Sequence, residues 1–249
     1  MPRGFEIRES IELAAAPEQV WEAIATGPGI DSWFMGRNEV EAGVGGRTSM
    51  DIAGHTEAGT VTAWEPARRF AYRSDEGPGG EFMAFEFLVE GRDRGTTVLR
   101  FVHSGFLSDD WEAEYDAVST GDRMYLRKLA VYLEHFAGRP SGYNMFLVGP
   151  RVGDHARVWA AFRDAFGLAT TDEGAKARLA VDGLEPAGGV VEFATEPTFL
   201  GVRTDAGLYM LVHGYQDVTV AEYHHHAGSD LDPAAFERAW NGWLAALAD

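Results

Sequence analysis

The sequence predicts an α+β fold, an antiparallel sheet packed on one long helix, and predicts it twice within 249 residues. Three observations carry this. Residues 38–103 break into short runs separated by Gly, Pro and Asp, the pattern of consecutive hairpins. Beyond residue 119 the apolar period becomes helical, with Gly138 and Pro140 as stop signals. The second half then echoes the first in weakened form.

The elements follow in order. Residues 5–13 alternate as a half-buried strand through Phe5, Ile7, Ile11 and Leu13, with a register break expected near Glu9-Ser10. Pro17 suits a first helical turn, and Glu18 complements its dipole. Val20, Trp21 and Ile24 are that helix's apolar face, Gly27-Pro28-Gly29 its stop, and Ile30 to Phe34 a second short helix. Strands are expected at 38–44, 46–53, 57–64, 68–74, 80–89 and 96–103. Their turns are Gly45-Gly46, Ala53-Gly54, Glu65-Pro66, Gly77-Pro78-Gly79-Gly80 and Arg92-Asp93-Arg94-Gly95. Asp122, Leu126, Leu129, Leu133 and Phe136 then repeat along a helix over 119–137. Strands closed by one helix pack as helix on sheet, and incomplete filling between them leaves a cavity.

The echo is ordered. Val158-Trp159-Ala160-Ala161-Phe162 repeats Val20-Trp21-Glu22-Ala23-Ile24, and Gly189-Val190-Val191 leading to Glu196-Pro197 repeats Gly59-Thr60-Val61 leading to Glu65-Pro66. Arg203-Thr204-Asp205 repeats Arg73-Ser74-Asp75, and Thr219 to Tyr223 repeats Thr97 to Phe101. The final helix opens with Asp232-Pro233 and buries Phe236, Trp240, Trp243, Leu244 and Leu247. The Gly, Pro and Ser cluster at 138–142 marks the boundary, giving domains 1–139 and 140–249. The second copy is the shorter, so its cavity is expected to be smaller or closed.

Composition excludes several classes. No window approaches 18 apolar residues, so no membrane span is expected. The start runs straight into a strand pattern without the apolar core of a signal peptide, and a cytoplasmic protein is expected. The absence of cysteine removes disulfides, thiolate metal sites and a cysteine nucleophile. A net charge of -18 opposes nucleic acid and anionic membrane as partners and favours solubility. No nucleophile elbow, phosphate loop or zinc-protease motif occurs, and no cofactor is expected. Gly43-Val44-Gly45-Gly46 precedes a strand, not a helix, and reads as a turn.

Residues 5–137 resemble the family of Hsp90 ATPase activator homologues within the START-like superfamily of polyketide cyclases and Bet v 1. The resemblance rests on Pro17-Glu18-Gln19-Val20-Trp21, Trp33-Phe34, Val44-Gly45-Gly46-Arg47, Gly59-Thr60-Val61, Glu65-Pro66-Ala67-Arg68-Arg69-Phe70, Gly95-Thr96-Thr97-Val98 and His103-Ser104-Gly105-Phe106. It implies a helix-grip fold with a deep apolar pocket beneath the long helix. It does not carry the co-chaperone activity with it. The family opens its last helix with Gly-Trp where this chain has Gly121-Asp122, which makes the pocket's mouth more open or more polar.

Within the hairpin 82–103, a turn centred near Asp93 sets His103 opposite Met83, Phe101 opposite Phe85 and Leu99 opposite Phe87, all on one face. Ordinary core explains that face as well as a pocket does. His103, its one polar group, is either a satisfied histidine near a strand end or a group that orients a ligand or exchanges a proton. Trp33, Met50, Trp64, Phe70 and Tyr72 extend the lining, and Leu129 faces it from the long helix. Tyr125 and Tyr132 flank that helix's Leu stripe, as hydroxyl donors or as a solvent-facing edge. The expected partner is a small apolar or aromatic molecule, with a homodimer or a chaperone as further partners and a cyclase or aromatase reaction as the alternative. That reaction needs a second polar group beside His103, and Arg123 or a tyrosine is the nearest offered. His224 and His226 share a strand face with Glu222, while His225 faces away and aligns with His103. A physiological metal is not expected there, with His213 too far along the sheet to be a third ligand.

Overall fold

The computed structural model describes residues 3–77, 79–107, 111–228 and 231–248; Pro78 of the expected 77–80 turn lies outside them. The chain divides into two units, Met1–Pro140 and Ser141–Asp249. Both are α+β. Among the described residues no helix is long and apolar enough to cross a membrane.

In the first unit, strand β1 (Arg3–Leu13) leads into helices α1 (Pro17–Ala25) and α2 (Gly27–Ile30). Strands β2 (Arg37–Val40), β3 (Arg47–Ile52), β4 (His55–Glu65), β5 (Arg69–Ser74), β6 (Met83–Gly91) and β7 (Thr97–Leu107) follow, and helix α3 (Trp111–His135) closes the unit. The sheet runs β1-β7-β6-β5-β4-β3-β2, antiparallel throughout. The turn at Ala53 and Gly54 has both residues at positive φ, the conformation a two-residue hairpin requires. Helix α3 packs on β1, β7 and α1, which is the helix-grip arrangement.

Four local expectations change. First, β1 pairs with β7 without interruption from Arg3 opposite Leu107 to Leu13 opposite Thr97. Glu9 only resembled a break: it keeps the inward face, and Arg123 of α3 meets its carboxylate at 2.8 Å. Second, Gly27-Pro28-Gly29 opens α2 rather than ending α1. The Thr26 hydroxyl accepts from the Gly29 N–H at 3.1 Å, and Pro28 takes the first turn. Third, α3 begins at Trp111, well before 119. Trp111, Tyr115 and Val118 carry the apolar spacing back from Asp122 to the first turn, and Glu112 and Glu114 favour its N-terminus. Fourth, the β6–β7 hairpin turns one residue later than expected, through the 3-10 turn Asp93–Gly95. His103 therefore faces Phe85, Phe101 faces Phe87, and Met83 faces Gly105. The slip is two residues across the ladder, so the same side chains still share one face.

The second unit contains β8 (Tyr143–Arg151), α4 (His155–Ala165), β9 (Lys176–Arg178), β10 (Gly188–Thr195), β11 (Phe199–Thr204), β12 (Gly207–His213), β13 (Val218–His225) and α5 (Pro233–Ala245). Its sheet runs β8-β13-β12-β11-β10-β9. The first strand thus lies beside the last in both units, with helices after the first strand and after the last. Asp232 caps α5 by accepting from the Ala234 and Ala235 N–H groups at 3.1 and 3.2 Å. Phe236, Trp240, Leu244 and Leu247 bury the stripe beneath it, with Trp243 partly buried at its edge.

Candidate functional site

The site is a cavity between the sheet and the helices of the first unit. Its wall is Ile24, Ile30, Trp33, Phe34, Tyr72, Phe85, Phe87, Phe101, Asp122, Tyr125 and Leu126, around about 440 Å³ of empty space, mouth included. Alternation along β5, β6 and β7 sends Tyr72, Phe85, Phe87 and Phe101 to one face. The rings interlock: Tyr72 stacks on Phe85 at 4.9 Å between centroids, and Phe87 meets Phe101 at 5.0 Å. Helix α1 fixes the Trp33 indole, whose N–H donates to the Ala23 carbonyl at 2.9 Å within the buried interior. Phe34 lies against Trp33 at 5.3 Å and against Tyr125 of α3 at 4.6 Å.

Asp122 is the one carboxylate in that wall. It stands one turn before Leu126 on the stripe of α3 that faces the sheet. His103 approaches it from β7, with Nδ1 3.0 Å from one carboxylate oxygen and 3.2 Å from the other. The side chains are 8% and 12% exposed, so this polar pair is withdrawn from water. An ionised carboxylate only accepts, so Nδ1 carries the proton that it receives. Phe85 stacks on the imidazole at 4.2 Å and Phe5 meets it edge-on at 5.1 Å. Its Nε2 is buried without a hydrogen-bond partner among the described residues. Burial is the main cause that pushes the Tyr72 hydroxyl well above its ordinary pKa, with the Glu57 and Asp122 charges adding to it. Tyr72 is therefore a neutral group in this wall.

Of the residues singled out in the sequence, Trp33, Tyr72, Phe85, Phe87, Phe101 and Tyr125 lie in the wall, and His103 stands behind it holding Asp122. Four lie elsewhere. Met50 packs beside Gly36 at the loop before β2, where a Cβ on that glycine would come within 3.0 Å of its Cγ. Trp64 is taken up by Trp21 of α1 at 5.0 Å and by Phe70 at 5.7 Å. Met83 lies at the end of β6 opposite Gly105. Leu129 is fully buried in the core. Tyr132 is also buried, with Ser32 as its hydrogen-bonding neighbour. Sequence reasoning placed Asp122 on the helix stripe and at the entrance, but not as the partner of His103. A carboxylate in register with Leu126 and Leu129 was the available signal. Phe34, Ile24 and Ile30 carried no comparable one, because α2 was misplaced.

In the second unit, Glu222 and His224 share a face and lie 4.0 Å apart, each 2% exposed. His225 turns to the other face, its Nδ1 3.0 Å from the Tyr223 hydroxyl. It does not occupy the place of His103. Across the first sheet one row runs Val61, Tyr72, Phe85, His103, Ile7. Counted from the matching bulge, the second sheet's row runs Val191, Val202, Tyr209, Tyr223, Met145. Tyr223 holds the histidine's position, stacked on Tyr209 at 4.2 Å. Phe236 and Trp240 of α5 then cover those rings at 4.9 and 5.9 Å.

The family model described as activator of Hsp90 ATPase homolog 1-like protein matches residues 14–134. No curated protein matches the sequence. Among solved structures, protein MLL2253 from Mesorhizobium loti is 23% identical over 52% of this chain and 97% of its own, with a TM-score of 0.46. The Aha1 dimer from Colwellia psychrerythraea is 24% identical over 52% of this chain and 96% of its own, with a TM-score of 0.43. DynU16, from the dynemicin biosynthetic locus, is 21% identical over 98% of this chain and 97% of its own, with a TM-score of 0.45. Residues 14–134 are an activator of Hsp90 ATPase homolog 1-like domain.

Proposed function

We propose that the first unit binds a small, mostly aromatic molecule that carries one hydrogen-bond donor. The observation that supports this is a single carboxylate, Asp122, in a wall otherwise made of aromatic and aliphatic side chains with tyrosine hydroxyls. Aromatic rings supply area and stacking. A desolvated carboxylate supplies orientation, because a hydrogen bond to a charged acceptor contributes about 1.5–3 kcal/mol, roughly ten- to a hundredfold in affinity. The test compares 2-naphthol with naphthalene on the full chain by competition against a fluorescent probe. The expected result is tighter binding of 2-naphthol, with the preference erased by Asp122→Ala. Equal affinity for the two would remove the role of Asp122, and binding of neither would remove the reading.

A second reading is proton transfer to or from such a ligand, and one observation favours it. Two titratable side chains stand within hydrogen-bond reach at the cavity wall, His103 and Asp122. Asp122 would touch the ligand and His103 would position it. Exchange of the α-hydrogens of acetophenone in deuterated buffer, followed by NMR, checks this reading. Exchange no faster than in buffer alone removes it. The family description also names an Hsp90 ATPase activator. Stimulation of an Hsp90 homologue's ATPase by the full chain is the test for a chaperone partner.

A further inference from the structure

We propose that His155, His213 and Asp217 of the second unit form a site for a divalent transition metal ion of the Zn²⁺ class. The three come from separate elements: His155 opens α4, His213 ends β12, and Asp217 lies in the turn before β13. One donor atom from each lies within 4.8 Å of the other two. His155 Nε2 is 3.0 Å from an Asp217 carboxylate oxygen, and the two imidazole rings are 4.4 Å apart.

His213 distinguishes this cluster from a surface ion pair. It is 4% exposed. Its Nε2 lies 2.8 Å from the Val152 carbonyl, which can only accept, so Nε2 carries the proton and Nδ1 the lone pair. That Nδ1 is buried and has no hydrogen-bond partner among the described residues. A ring oriented by a carbonyl on one nitrogen and bare on the other has the arrangement of a metal-ligating histidine. An ion pair between His155 and Asp217 alone gives that nitrogen nothing to do.

The backbone holds the carboxylate in the same place. Gln216 and Asp217 both have left-handed φ, 55° and 61°, which L side chains adopt rarely. Arg151 donates to the Gln216 carbonyl at 3.1 Å and to its side-chain oxygen at 2.6 Å. Val152 N–H donates to the Asp217 carbonyl at 2.9 Å. One residue, Val152, thus fixes two ligands, the turn through its N–H and His213 through its carbonyl.

The donor set selects the ion. Two imidazoles and one carboxylate suit Zn²⁺, Co²⁺ or Ni²⁺, whereas Ca²⁺ and Mg²⁺ take oxygen ligands. The His155 and Asp217 side chains are 54% and 46% exposed, so the ion would keep positions open to water. The histidine run is separate: His224 pairs with Leu208 at the other end of the β12–β13 ladder from His213 and Thr219.

The experiment is Zn²⁺ titration of the chelator-treated full chain by calorimetry, with Co²⁺ absorption as a second readout. The expected result is one site per chain, weakened roughly tenfold or more by His155→Ala and by Asp217→Asn and unchanged by His224→Gln. His155 is exposed, so its loss leaves folding intact, and circular dichroism verifies this. The proposal is overturned if no Zn²⁺ binds. It is equally overturned if binding survives both His155→Ala and Asp217→Asn, or is lost with His224→Gln instead.

Discussion

Asp122 and His103 work only as a pair. Each is largely withdrawn from water, and each satisfies the other at 3.0 Å. Removing one partner strands the other, which costs about 1–3 kcal/mol for a buried polar group, whereas replacing both by apolar side chains is nearly neutral. Asp122→Ala is therefore expected to destabilise the protein by about that amount in urea unfolding. The double variant His103→Phe, Asp122→Leu is expected to recover most of the loss. A loss that simply adds across the two sites would show that the pair is not coupled. Asp31 makes a different kind of prediction. Burial raises its carboxyl above 3.8, against the hydrogen bonds that it accepts from Asn38 at 2.7 and 3.0 Å. Between the unfolded value and this raised one, the folded chain holds more protons. Stability from this group therefore falls as pH rises through that window, and it returns on acidification. Relative to Asp31→Asn, the wild type is expected to gain stability between about pH 7 and pH 4. Urea midpoints measured across that range check the sign, and a relative loss would mean that the Asn38 hydrogen bonds outweigh burial.

Elements were legible where the signal is local. Asp232-Pro233 announced α5, and the cap is made by Asp232 itself. Asp232→Ala is expected to cost about 1 kcal/mol, read as a lower thermal midpoint, while Asp232→Asn is expected to retain most of the stability. Alternation likewise found the aromatic face of β5, β6 and β7, because period two survives even a misplaced turn. The missing information was cap and turn geometry in two places and non-local packing in two others. Whether Gly27-Pro28-Gly29 stops one helix or starts another depends on Thr26, whose hydroxyl donates to the Glu22 carbonyl at 2.8 Å and caps the next turn. The hairpin centre depends on the 3-10 turn at Asp93–Gly95, which moved His103 from Met83 to Phe85. Glu9 looked like a break because its partner, Arg123, lies on a helix far along the chain. The pairing of His103 with Asp122 was hidden for the same reason. Each residue was visible on its own face, but only the packing of α3 on β7 brings the faces together.

At the scale of the whole chain, the two units share details that a common architecture alone does not require. Both sheets put the last strand beside the first. Both carry a register shift at the same point of the ladder, between Val61 and Ala63 in β4 and between Val191 and Phe193 in β10. Two positions before each shift stands a glycine pressed against the neighbouring strand. A Cβ on Gly59 would meet the Arg73 carbonyl at 2.6 Å, and one on Gly189 would meet the Arg203 carbonyl at 2.5 Å. We infer from these that residues 140–249 are a shortened copy of residues 1–139. The two units differ at the histidine's row, where in the second Tyr209 stacks on Tyr223 and Phe236 and Trp240 lie against those rings. The shared glycine is the place to test this. In both contacts the obstructing atom is backbone and cannot swing aside, so Gly59→Ala and Gly189→Ala are each expected to cost about 1–3 kcal/mol in chemical denaturation, as overpacking does. Alanine at Gly188 is the control: nothing lies within 4 Å of its added Cβ and its φ is not positive, so Gly188→Ala is expected to be nearly neutral. If Gly59→Ala is costly and Gly189→Ala costs no more than Gly188→Ala, the close approach is not a constraint that the two units share.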